Sequence, residues 1–199
     1  MKNWKEIWTF WFGIDPEEEV DLRNSKLWFK KDPQLDEQIR QQFLPIWEEL
    51  KENGANPDWA ADPRSYLSQI LVIDQFSRNM FRGNPQSFEL DPLGQKLSLE
   101  GIQEGLDRRL SFVARSFFYL PLQHSEDRSV QERSIQVYQQ WVEDAPDQFQ
   151  DFAKGTLGYA YAHQKIINEF GRFPHRNAVL GRTNTKEEET YLSQPGAGF

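Results

Sequence analysis

Apolar residues in this chain recur at intervals of three and four, the spacing that places them on one face of a helix. Trp4, Ile7, Trp8, Trp11 and Phe12 define a short amphipathic helix that Gly13 ends. Asp32-Pro33 supplies a capping carboxylate and a first-turn proline. It opens a helix towards Asn53-Gly54 whose buried stripe is Leu35, Ile39, Phe43, Ile46, Trp47 and Leu50. Pro45 sits inside that stripe and predicts a kink, because proline lacks the amide donor. Asp62-Pro63 repeats the start signal ahead of Tyr66, Leu67, Ile70, Leu71, Ile73 and Phe76. That helix is apolar on most sides and therefore central. Asp91-Pro92 starts another, carrying Leu93, Leu97, Ile102 and Leu106. Ser125-Glu126-Asp127 reads as a cap with two first-turn acids, ahead of Ile135, Tyr138 and Val142. A long helix over about 147–169 follows. Thr185 and Glu188 then stand at capping-box spacing before a last short helix through Leu192. Alternating strand patterns are absent. The pattern predicts an all-α chain of about seven or eight helices, a single domain over residues 1–199 with no separating linker.

Composition narrows the function classes. The formal net charge of -8 disfavours nucleic acid or an anionic membrane as partner. No apolar run approaches the roughly 18 residues that cross a bilayer. The aromatic N-terminus is interrupted by Lys5 and Glu6 and lacks the form of a signal peptide, so a cytoplasmic location is expected. The absence of cysteine removes disulfides, thiolate zinc sites and cysteine nucleophiles. Seven tryptophans and fifteen phenylalanines are surface that must be buried, which argues against disorder.

Three polar constellations interrupt this apolar pattern. In DQFSRNMFRG (74–83), a continuous helix would stack Asp74, Arg78 and Arg82 on one face. In FYLPLQHSED (118–127), an apolar segment delivers His124 and Glu126 to a helix start, where amide groups favour anions. FGRFPHRNAVLGRT (170–183) concentrates Arg172, His175, Arg176 and Arg182, with Asn177, in an acidic chain. Guanidinium groups keep their charge when buried, so these need carboxylates or an anionic ligand held bidentately. His163 lies on a largely apolar helix side with Tyr159, Ile166 and Ile167, the position of a hydrogen-bonded core residue. A site from His124, His163 and His175 lacks a ligand spacing such as HExxH, so no metal or cofactor is assigned. Phosphate loops, dinucleotide fingerprints and serine-hydrolase elbows are absent.

These motifs together resemble the bacterial domain-of-unknown-function 924 family. The resemblance is carried by Phe10-Trp11-Phe12-Gly13, Trp28-Phe29, DQFSRNMFRG, FYLPLQHSED and FGRFPHRNAVLGRT, and covers about residues 4–199. It implies a tetratricopeptide-like arrangement of stacked helical hairpins and no particular activity. Ser77 stands where the family pattern DQFPRN has proline. Leu122-Gln123 replaces the phenylalanine or methionine and the glutamate that often precede His-Ser-Glu.

Three functional readings follow. In the first, Asp74, Arg78, Arg82, Arg172, Arg176, Asn177 and Arg182 line a pocket for a small anionic ligand. If the pocket is catalytic, His124 or His175 would act as acid or base, with Glu126 orienting it. In the second, the hairpins form a non-enzymatic scaffold for a peptide or protein partner. In the third, Asp74, Glu126, Asp127 and Glu169 neutralise the arginines in a wholly structural network.

Overall fold

The computed structural model describes residues 3–198, and among these every regular element is helical. Helix α1 (Trp4–Phe12) begins at Asn3, whose side chain caps it, and ends at Gly13, where φ is 72°. Helices α2 (Ser25–Trp28) and α3 (Pro33–Asn53) follow, α3 starting at an Asp32 cap as expected. Pro45 lies within α3, which runs through it. Helix α4 (Pro63–Ile70) is capped by Asp62 and passes into a π-helical turn, Leu71–Phe76, before α5 (Ser77–Met80). Next come α6 (Asp91–Gln103), α7 (Phe112–Gln123), α8 (Arg128–Glu143), α9 (Gln150–Phe170) and α10 (Lys186–Leu192). Short 3-10 turns precede several of them, including Asp147–Phe149 ahead of α9 and Pro174–Arg176 beyond it. No helix among the described residues is long and apolar enough to cross a membrane.

Backbone contacts divide the chain into two compact units. The first comprises the chain up to Arg82 together with Gln86–Pro121; the second comprises Gly83–Pro85 and the chain from Leu122 onward. In the first, Trp8, Trp11, Phe12, Phe43, Trp47, Phe76 and Phe117 are buried, with Trp11 edge to face on Phe76 and Phe12 edge to face on Phe117. Trp28 donates its indole N–H to the Trp11 carbonyl at 2.9 Å, which anchors the short α2 on α1. The α4–π–α5 stretch runs through this core with Leu67, Ile70, Leu71, Val72, Ile73 and Phe76 fully buried.

The second unit is built on α8 and α9, which pack along one another as a helical hairpin. Ile135, Tyr138 and Trp141 of α8 and Ala153, Ala160 and Ile167 of α9 are buried. Phe173, just past α9, closes a cluster with Ile166 and Ile167, against which Phe170 and Tyr191 pack.

Candidate functional site

The first constellation lies in the first unit. The π-helical turn closes where the Ser77 amide donates to the Val72 carbonyl, one residue further back than in an α-helix. Asp74 is carried there, buried, and accepts from the Gln75 side-chain amide. Arg78 Nη1 stands 3.1 Å from Asp74 Oδ1, and the same guanidinium meets both oxygens of Asp91 at 3.1 and 3.2 Å. Burial alone would lower the Arg78 pKa, but Asp74 and Asp91 outweigh it and the net shift is upward. Asp91 is the first residue of α6, as expected, with Leu90 at the cap position, and its carboxylate pairs with Arg78. Arg82 does not continue the stack with Asp74. It forms a bidentate pair with Asp36, at 2.8 and 2.9 Å, and Asn79 donates to the same carboxylate at 2.7 Å.

A further buried polar set in this unit carries no motif that singles it out beyond the four-residue spacing of Arg115 and Tyr119. Tyr119 donates to Asp107 Oδ2 at 2.6 Å, and Arg115 Nη2 reaches the Tyr119 oxygen at 3.3 Å. Burial raises the phenol pKa above its ordinary value.

The other two constellations come together in the second unit. Asp127, rather than Ser125, caps α8, accepting the amides of Ser129 and Val130 at 2.7 and 3.2 Å. Glu126 is therefore outside that helix and does different work. Its Oε1 accepts the Phe173 amide at 2.8 Å, and its two oxygens hold Arg182 bidentately at 2.7 and 3.0 Å. Burial would raise the Glu126 pKa, but those hydrogen bonds prevail and hold it below the usual carboxylate range.

Arg172 is matched by a residue that the sequence spacing marks only as a helix cap. Glu188, 1% exposed, receives Arg172 Nε and Nη2 at 2.6 and 2.7 Å. It also accepts the Asn177 side-chain amide at 3.2 Å and completes the capping box with Thr185. The Arg172 hydrogen bonds pull its pKa down to about 2. Asn177 additionally donates to Asn184 at 2.8 Å, so it ties the loop to the start of α10. Glu169 is exposed on α9.

What remains is a histidine cluster beside Phe173. His124 and His163 have ring centroids 5.8 Å apart; His163 lies 5.6 Å from Phe173, and His175 lies 5.5 Å from Phe173. The buried Arg176 guanidinium sits 4.5 Å from the Phe173 centroid and donates to the His124 carbonyl at 3.0 Å. His163 Nδ1 is 2.8 Å from the Tyr159 carbonyl, which can only accept; Nδ1 therefore carries the proton and Nε2 is the basic nitrogen. Burial, then the neighbouring His124, push His163 down to about 3. Burial, then Arg176, push His175 down to about 4. Both rings are therefore neutral at neutral pH.

Among the described residues no group of three or more His, Asp or Glu side chains is arranged to hold a metal ion. Two cavities of about 610 Å3 open along α9, one lined by Tyr161, Gln164 and Lys165, the other by residues of α9, α10 and the segment beyond it. Neither is lined by a residue of the candidate set.

Comparison with known proteins agrees with this architecture. No curated protein is significantly similar in sequence. A solved structure of a protein of unknown function from Agrobacterium tumefaciens superposes with a TM-score of 0.79 at 32% identity, covering 96% of this chain and 97% of that one. The family model for bacterial proteins of unknown function designated DUF924 matches residues 7–196, and the chain belongs to that family.

Proposed function

We propose that the second unit binds a small anionic ligand at the histidine cluster, with Arg176 as its anchor. The observation that carries this reading is the gathering of all three histidines of the chain with a buried guanidinium: His163, His175 and Arg176 stand against the Phe173 ring, and His124 stands against His163. Clusters of titratable groups with strongly displaced pKa values are characteristic of functional sites. The reading narrows the candidate set. Arg172 and Arg182 are bidentately held by Glu188 and Glu126, and Asn177 by the loop, so these shape the site's wall. Asp74, Arg78 and Arg82 belong to the ion pairs of the first unit. Any proton transfer falls to His124, half-buried, or to His175, with Arg176 stabilising developing negative charge.

Isothermal titration with inorganic phosphate and with acetate tests this. Saturable binding of at least one anion is expected, and Arg176→Gln abolishes it while far-UV circular dichroism stays helical. Arg172→Gln, in contrast, lowers the melting temperature through the loss of Glu188's partner and leaves anion binding in place. Failure of the native protein to bind either anion, or binding that survives Arg176→Gln, sinks the reading.

A further inference from the structure

The chain beyond α10 turns back onto the histidine cluster. A Cβ placed on Gly198 would stand 3.1 Å from the Cβ and 3.3 Å from the Cγ of His175, so the strand of backbone at 198 lies directly against that ring. The same glycine has φ of 92°, and Gly196 has φ of 80°, conformations that other residues adopt only with strain. The Gly198 amide donates to the Tyr191 hydroxyl at 3.1 Å, and the Tyr191 ring is itself seated on Phe170 at 5.2 Å. The segment also lines the second of the two α9 grooves, whose wall includes Lys165, Ile166, Thr190, Tyr191, Gly196 and Gly198. Gly198 thus both lines a cavity of about 610 Å3 and stands against the partly buried His175.

We infer that residues 195–198 form a gate between this groove and the histidine cluster, so that the groove is the approach to His175 and Tyr191 is the latch. The inference rests on the reading of the cluster as a ligand site. Glycine suits such a gate twice over. It allows the backbone to lie close against the His175 side chain, and its wide conformational range lets the segment swing aside without strain elsewhere. The latch is a single neutral hydrogen bond, weak enough to open thermally. Charged groups on the groove side, Lys165 with Glu169 and Glu187, give the approach a mixed polar wall.

Acylation of imidazoles by diethyl pyrocarbonate, read at each histidine by mass spectrometry, tests the gate with no ligand present. Tyr191→Phe keeps the ring on Phe170 and removes the latch. It should speed His175 labelling about two- to tenfold, the range one such hydrogen bond commands. Gly198→Val, which forces a side chain against His175, should open the segment further and speed labelling more. Buried His163 should stay slow in both, which shows that the unit has not unfolded; if Gly198→Val misfolds, Tyr191→Phe decides alone. Unchanged His175 labelling in Tyr191→Phe overturns the gate. Faster His175 labelling in a protein that binds neither phosphate nor acetate keeps the gate and removes its proposed ligand. Anion binding with unchanged labelling does the reverse.

Discussion

At the scale of single residues, the outcome was decided by partners far away in sequence. Arg172 and Arg182 of the cationic knot at 170–183 are each held by a carboxylate from within, one that the sequence offers for the purpose, Glu126, and one that it does not, Glu188. Glu126 takes Arg182 across 56 residues, and Glu188 takes Arg172 across 16. Glu188 was visible as a capping residue because Thr185 precedes it by three; nothing in that spacing shows that its carboxylate also receives a guanidinium. Ser77 is a similar case. A serine in place of proline reads as a smoother helix. In the structure its amide closes the π-helical turn, its hydroxyl donates to Val72 O at 3.2 Å, and it accepts the Trp47 indole N–H at 2.8 Å. Ser77→Ala leaves that buried indole without its acceptor, which costs about 1–3 kcal/mol. Urea unfolding monitored by tryptophan fluorescence measures it, and a loss of a few tenths or less would show that the indole finds another partner.

At the scale of elements, the sequence was most legible where physics is local. Asp32 and Asp62 cap their helices, Gly13 and Gly54 end theirs, and Thr185 with Glu188 forms its capping box. Each depends on a few neighbouring dihedrals and hydrogen bonds. Asp91 stands one place further in, as the first residue of α6 after Leu90, and its side chain pairs with Arg78, an ion pair that tertiary packing alone creates. The π-helical turn was invisible for a related reason: one extra residue in a fully apolar stretch leaves the hydrophobic period readable as ordinary helix. Helix α6 carries a further constraint that propensity scales get backwards. Gly101 is buried against the stacked rings of Tyr66 and Phe118, and a Cβ there would stand 2.8 Å from Phe118 Cε1 and 3.0 Å from Tyr66 Cε1. Alanine is ordinarily better than glycine inside a helix by about 1 kcal/mol. Gly101→Ala should instead destabilise the first unit by roughly 1–3 kcal/mol, the cost of overpacking a filled core. A raised melting temperature for this variant would mean that the ring stack yields.

At the scale of the whole molecule, helical content and family membership could be read from pattern and motif, whereas the grouping of polar residues could not. Three segments that look equivalent as strings are divided between two compact units, and all three histidines belong to the second. That placement makes the pH response specific. Folded, His163 and His175 resist protonation until about pH 3 and about pH 4; unfolded, the same rings bind a proton near their ordinary 6.5. Unfolding therefore takes up protons as the pH falls below 6.5, and the stability these neutral rings contribute is complete above that value. It declines by about 1.4 kcal/mol per pH unit for each histidine between roughly pH 6 and pH 4. Glu188 adds its own loss only in stronger acid, since its folded pKa of about 2 lies below the usual 4.5. Urea unfolding at a series of pH values between about 7 and 4.5 should show this slope. His163→Gln, which keeps a donor for the Tyr159 carbonyl but does not titrate, should reduce it by about half. Amide exchange should show α8 and α9 losing protection first. An acid slope unaltered by His163→Gln and by His175→Gln would assign the pH sensitivity to carboxylates and remove the two imidazoles from the account.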